Sequence, residues 1–292
     1  MFQMSQFIRE LLDESIVGED IQTIKRVRGG SINDSFFIAT KNENFFMKVH
    51  MNAPPNFFLK EYQALKKIRD TNTIAVPNVI DFSDEQGKAF LLMEWIEGEP
   101  SDQTAQQLGE GVAALHHCFH SKHGLNEDTY IGSLPQQNQF CDRWMDYYKT
   151  YRLKNQLNLG IERNTIKGKR RENLERLLDG IDRLIPEEIP ASYLHGDLWG
   201  GNWVVGPEGR PYLIDPSFLY GDRLFELAFT ELFGGFGMEF YQAYHETYPI
   251  EDYYDDVKEL YQLYYLLAHL NMFGESYGPS VDRILERYRS CV

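Results

Sequence analysis

The spacing of apolar residues changes once along this chain, and that change limits its fold more than any other feature. Before Gly98 and Pro100, short segments alternate apolar with polar: IQTIKRVR, SFFIAT and NFFMKV, then NVIDF and KAFLLMEWI. Alternation of period two buries one face of a strand, and the turn-prone GGSIND and KNEN between the first three predict antiparallel neighbours. Short helices are expected near 2–12 and after the Pro54-Pro55 break. Beyond Pro100 the period becomes helical, over about 103–120, 140–151, 169–184 and from 222 onward. The sequence therefore predicts an α+β protein of two domains. Residues 1–97 form a β-rich antiparallel domain and 98–292 a mainly helical one, a division that suits 292 residues.

Charge narrows the partners. Asp and Glu outnumber Lys and Arg by 44 to 29, and a net charge of -15 repels a phosphate backbone over most of the surface, so no nucleic acid is expected. An anionic ligand must then be received by a local group of donors or a metal ion. Cys118, Cys141 and Cys291 lie far apart without CxxC spacing, which suits a reducing compartment. No apolar run is long enough for a leader or a membrane span, so a cytoplasmic protein with no membrane partner is expected, with a monomer favoured.

One β segment interrupts the helical part. In WVVGPEGRPYLID two apolar runs flank Gly206-Pro207-Glu208-Gly209, a hairpin signal. HGDLWGGN, His195 to Asn202, precedes it and IDPS, Ile214 to Ser217, follows. An antiparallel hairpin brings Asn202 and Asp215 to the same end, a few residues from Asp197. Converging oxygen ligands of this kind are what Mg²⁺ requires. Pro216 pushes Asp215 toward extended backbone. Asp197, left over from metal binding, is placed to accept a proton from a substrate hydroxyl.

The β-rich part offers an independent test. Lys48 alternates with apolar neighbours on NFFMKV, and Glu61 lies on the apolar face formed by Phe57, Ala64, Leu65 and Ile68. Two buried charges need partners, so Lys48 is expected to pair with Glu61. Gly29, Gly30 and Ser31 sit in the first turn, where backbone amides can approach a phosphate. By resemblance to the protein-kinase-like phosphotransferases, LLMEWIEGEP at the domain boundary is the expected adenine strap, through backbone groups near Glu94, Trp95 and Ile96.

The HxDxxxxN spacing followed by a later Asp resembles the catalytic loop and metal-binding Asp of the protein-kinase-like phosphotransferases. HGDLWGGN together with DPSFLYGDRLFELAFTELFGGF, Asp215 to Phe236, is similar to the fructosamine-kinase (ketosamine-3-kinase) family. GGSIND, FFMKV, KEYQAL and MEWIEG extend the resemblance over most of the chain. It implies a bilobal protein-kinase-like fold, ATP and Mg²⁺ as cofactors, and phosphorylation of the 3-hydroxyl of ketosamines, the sugar adducts of lysines or free amines. It also implies that Asp197 is the catalytic base, that Asn202 and Asp215 ligate Mg²⁺, and that Lys48 with Glu61 positions phosphate. Trp199 and His195 are expected against the substrate, Trp199 as an aromatic wall for the sugar.

Three departures accompany the resemblance. Ser31 stands where many eukaryotic relatives carry cysteine, so no redox control of that loop is expected. Glu226 replaces the usual Asp of the DLA segment. Gly196 stands where protein kinases of the HRD type have Arg, which implies activity without phosphorylation. Two competing readings are an aminoglycoside- or choline-type kinase of the same fold, and a non-catalytic binding protein. Elsewhere, LHHCFHSKHG sets His116, His120 and His123 on one expected helical face, a possible zinc site set against a plain helix end. The basic run 163–171 reads as a solvated face.

Overall fold

The computed structural model describes residues 2–13, 21–27 and 33–291, so Gly29, Gly30 and Ser31 lie outside the described residues. The chain divides into two compact units. One comprises Met1–Ser101 with Val204–Asp215, the other Asp102–Trp203 with Pro216–Val292. The hairpin after HGDLWGGN thus clusters with the β-rich part, and the division falls at Ser101 rather than at 97.

In the first unit, α1 (Phe2–Asp13) precedes β1 (Thr23–Val27), β2 (Asp34–Ala39) and β3 (Asn44–His50). Helix α2 (Phe57–Asp70), β4 (Val79–Ser83) and β5 (Ala89–Glu94) follow. The strands form one antiparallel sheet in the order β1-β2-β3-β5-β4. Alternation decides its faces. Phe36, Ile38, Phe45, Met47, Val49, Phe90 and Leu92 point to one side, where Ile8, Leu11 and Leu12 of α1 join them in a core. Lys48, between Met47 and Val49, therefore points to the opposite side. Helix α2 buries Phe58, Ala64, Leu65 and Ile68. Its first turn is capped from a distance, because the Asp84 carboxylate accepts from the amides of Phe58 and Leu59 at 2.9 Å each. That satisfies two donors of the first turn, where the N-cap residue Asn56 makes no side-chain cap bond.

The second unit opens with α3 (Thr104–His116), β6 (Phe119–His120), β7 (Thr129–Ile131) and β8 (Leu134–Gln136). Helix α4 (Trp144–Tyr147) runs through a π-helical stretch, Tyr148–Lys154, into α5 (Asn155–Glu162), and α6 (Gly168–Gly180) follows. Strand β9 (Ala191–Leu194) leads to the catalytic-loop motif; beyond it β10 (Trp203–Val205) and β11 (Pro211–Leu213) pair with each other as the hairpin that clusters with the first unit. Then come β12 (Leu219–Gly221), α7 (Arg223–Leu232), α8 (Met238–Thr247), α9 (Tyr254–Phe273) and α10 (Gly278–Tyr288). The expected helix through residue 120 stops at His116, because Phe119 and His120 pair with Ser192 and Ala191 in the sheet β12-β9-β6. Trp144, fully buried, packs on Tyr148, Phe225 and Tyr261 at ring distances of 5.4–6.2 Å and donates to the Tyr261 hydroxyl at 3.0 Å. Tyr261 donates in turn to Asp222, the residue that caps α7 through the Leu224 amide. No helix among the described residues is long and apolar enough to cross a membrane.

Candidate active site

Lys48 and Glu61 form the expected pair within the first unit. Lys48 Nζ donates to Glu61 Oε1 at 2.6 Å and also to Asp215 Oδ1, a bond that nothing in the sequence indicated. Lys48 is 4% exposed. Burial alone would lower its pKa, but Asp215 and then Glu61 outweigh it and hold the ammonium above the usual lysine range. The cluster of one cation and two carboxylates carries a surplus negative charge. Burial pushes Glu61 up, Lys48 pulls it back, and Asp215 pushes it up further.

Asp215 corrects the sequence reading of its backbone. It has φ +56°, in the left-handed region, not the extended conformation that Pro216 favours. Asp tolerates this region better than most residues, yet it is a costly one, of the sort that concentrates at functional sites. Here the ion pair with Lys48 helps to hold it.

At the expected adenine strap two backbone amides are already engaged. The Glu94 amide is bonded to Asn78 and the Trp95 amide to Asn44, each at 3.0 Å. The Trp95 ring packs edge-on to Phe37 at 4.8 Å. Ile96 follows the last strand pairing, past the residues whose amides are already spent.

In the second unit the catalytic-loop motif starts directly after β9. Asn202 Nδ2 donates to Asp197 twice, to its carbonyl at 2.7 Å and to its carboxylate Oδ2 at 2.9 Å. This locks the side chain of the expected base to the loop and turns the Asn202 amide oxygen away from it. Gly196 has φ +85°, and a Cβ there would sit 1.8 Å from the carbonyl oxygen of Ser217. No Arg can occupy this position without moving the chain. Trp199 is 40% exposed, so it is not a core residue. His195, expected against the substrate, is fully buried, and its Nδ1 accepts from the Asp197 amide at 3.3 Å. It shapes the loop from behind.

Sequence reasoning missed what holds this loop in place. Glu226, on α7 and fully buried, accepts from the amides of His195, at 3.0 Å, and Gly196. Burial would raise its pKa, but His116, His195 and the Gly196 amide outweigh that and keep it an anion. His116 Nε2 lies 2.9 Å from Glu226, and its Nδ1 lies 2.7 Å from the Tyr244 hydroxyl. Burial lowers the pKa of His116. A neutral ring donating to Glu226 through Nε2 and accepting from Tyr244 through Nδ1 satisfies every partner. Arg223 completes the chain, donating to Tyr244 at 3.0 Å and to Glu251 at 2.6 Å. The reach that Glu gains over Asp is what spans from α7 to two loop amides at once. A second support is the approach of Gly200 to Gly235, where a Cβ on Gly235 would lie 2.5 Å from the Gly200 Cα.

The remaining constellations settle as structure. His116 ends α3, His120 lies in β6 stacked on Tyr220 at 4.1 Å, and the three histidines share no helical face. No group of three or more metal-ligating side chains occurs among the described residues. In the basic run, Arg170 forks onto Glu275 and Asp282, and Arg163 donates to the Asn271 carbonyl.

A lysine fixed by a carboxylate on the neighbouring helix and an HGDxxxxN loop define the class, a protein-kinase-like phosphotransferase. A choline kinase from Streptococcus pneumoniae shares this fold, with TM-score 0.65 and 16% identity over 99% of both chains. The fructosamine kinase family model matches residues 3–290, and the chain belongs to that family. It is 40% identical over 273 residues to a protein of Lactiplantibacillus plantarum named a probable ketoamine kinase, covering 92% of this chain and 95% of that one. To the chloroplastic protein-ribulosamine 3-kinase of Oryza sativa it is 34% identical over 277 residues, 92% of this chain and 79% of the relative. A Thermobifida fusca structure provisionally named a fructosamine-3-kinase superposes with TM-score 0.87 at 25% identity, covering 98% and 99% of the two chains. The protein is thus an enzyme that transfers a phosphoryl group to an alcohol.

Proposed function

We propose that the protein is an ATP- and Mg²⁺-dependent kinase of the 3-hydroxyl of ketosamines, the ribulosamine or fructosamine adducts of lysines or free amines, and that it serves deglycation, because the unstable 3-phosphate lets the amine be recovered. What supports this reading is the bonding of Lys48 to Glu61 and Asp215 in one unit and of Asn202 to Asp197 in the other, in a chain of the fructosamine kinase family. A scaffold has no need of these bonds. Asp197 accepts the hydroxyl proton while Asn202 holds its carboxylate in one orientation. Lys48, fixed by Glu61, presents its charge to the α- and β-phosphates. Gly29, Gly30 and Ser31 contribute backbone amides to phosphate, and the strap at Glu94, Trp95 and Ile96 receives adenine. The donor set fits Mg²⁺. It consists of hard oxygens, the Asn202 amide oxygen and the Asp215 carboxylate, and the surplus negative charge around Lys48 calls for a cation. Bound Mg²⁺ would neutralise phosphate charge as the phosphoryl group moves. Trp199, exposed in the loop beside Asp197, offers a face to the sugar. Gly196 leaves no arginine to answer an activation-loop phosphate, so the enzyme works unphosphorylated; loss of activity on phosphatase treatment of the purified protein would refute this.

The test is ADP release with Mg·ATP against ribulosyl-lysine, fructosyl-lysine, kanamycin and choline. Turnover of a ketosamine is expected. Turnover of kanamycin or choline alone would keep the fold and overturn the substrate.

A further inference from the structure

Helix α9 approaches the catalytic loop with two adjacent tyrosines. Tyr265 donates to the Gly196 carbonyl at 3.3 Å, so its hydroxyl is accounted for. Tyr264, 1% exposed, buries its hydroxyl oxygen with no hydrogen-bond partner among the described residues. A buried phenol with nothing to bond is costly, and native structures seldom keep one without a use.

Its surroundings show what the hydroxyl can serve. Burial pushes its pKa up to about 12, Arg152 pulls it down and Asp197 pushes it up, so the phenol is protonated, lies in the fields of both groups and has one proton to give. Asp197 is the carboxylate acting on it. Arg152 lies over the ring, its guanidinium 5.6 Å from the Tyr264 centroid and 4.7 Å from that of Tyr147. Arg152 is 1% exposed and donates to the Tyr151 carbonyl and to Asn138 Oδ1 at 3.1 Å each. It makes no ion pair among the described residues. A buried cation without a bonded counter-ion is as unusual as the orphan hydroxyl beside it. It is carried on the π-helical stretch Tyr148–Lys154, an uncommon geometry that is frequent at functional sites. Asn138 is itself held, donating to the Glu127 carbonyl and to Thr129 and accepting from Tyr147, so Arg152 is anchored rigidly.

We propose that Tyr264 is a positioning residue, whose hydroxyl donates to the Asp197 carboxylate, directly or through one water, when the reacting alcohol is engaged, with Arg152 holding the Tyr264 ring in place. Asn202 donates to one oxygen of Asp197; Tyr264 adds a second donor to the same carboxylate when the alcohol is engaged. The inference rests on the reading of Asp197 as the base.

The test is Tyr264→Phe, which keeps the ring and removes only the hydroxyl. Turnover should fall about five- to tenfold. KM for ATP and for the alcohol should stay within about twofold, and the melting temperature should not fall, since the lost group bonds to nothing in the free protein. In the Asp197→Asn background the same change should cost nothing further, because its effect passes through Asp197. Unchanged turnover in Tyr264→Phe, or a lowered melting temperature with kcat and KM worsening together, would overturn the proposal. The base reading fails separately: Asp197→Asn with full turnover sinks it, whereas an inactive Asp197→Asn beside an unaffected Tyr264→Phe sinks only the role of Tyr264.

Discussion

The two units hold their working groups in opposite ways. Lys48 is gripped directly by Glu61 and Asp215, and the same residues are those proposed to handle phosphate and metal. Asp197 has one direct bond, from Asn202, and its loop is placed indirectly: Glu226 binds the backbone of the two residues before it, and His116, Tyr244 and Arg223 hold Glu226 in turn. In the first unit the negative charge is in surplus. In the second the Glu226 carboxylate is matched by two loop amides and by His116. The lesson is that a Glu→Gln change should separate function from stability in one unit and join them in the other.

Four expected outcomes sharpen this contrast, the largest first. Lys48→Met should lower turnover by at least about a hundredfold, as removal of a group that stabilises transferring charge does; initial-rate kinetics at saturating nucleotide checks it. Glu226→Gln leaves one oxygen to serve two buried amides, so it should cost about 2 kcal/mol of stability in denaturant titration and lower turnover as the Asp197 loop loosens. Glu61→Gln keeps a hydrogen bond to Lys48 and relieves the surplus charge. It should lower turnover by about tenfold with almost no change in the unfolding midpoint. An equal stability loss in the two Gln variants would break the comparison.

The smallest effect concerns pH. Burial lowers the His123 pKa from 6.5 to about 4, so the neutral ring contributes stability that is present above about pH 6.5 and is lost as pH falls toward 4. Asp222, raised by burial to about 6, acts with the opposite sign, contributing stability at low pH that is lost as pH rises from 3.8 toward 6. The two partly cancel in the native protein. The difference between native protein and His123→Gln isolates the first, and it should shrink by about 1 kcal/mol between pH 7 and 5.5.

Much of this architecture was legible because its causes are local. Strand alternation placed Lys48 opposite the α1 core, helical spacing placed Glu61 on the inner face of α2, and two buried charges that need partners find each other. What escaped depends on distant residues. The 116–226 contact spans 110 positions, and nothing in LHHCFH says that the helix ends at His116. That end is decided by the pairing of Phe119 with Ser192. Pro216 argued for extended backbone at Asp215, but the bond to Lys48, 167 positions away, accompanies a left-handed one. The π-helix and the orphan hydroxyl of Tyr264 leave no trace in periodicity, since both arise from packing between α4, α5 and α9.

The central claim is that Asp197 is the base of an alcohol phosphotransferase acting on ketosamines. It is tested most directly by turnover of ribulosyl-lysine in native protein and in Asp197→Asn, with ATP affinity measured for both. A loss of at least about a hundredfold in kcat with ATP affinity unchanged is the predicted result. Equal turnover in the two proteins would contradict it.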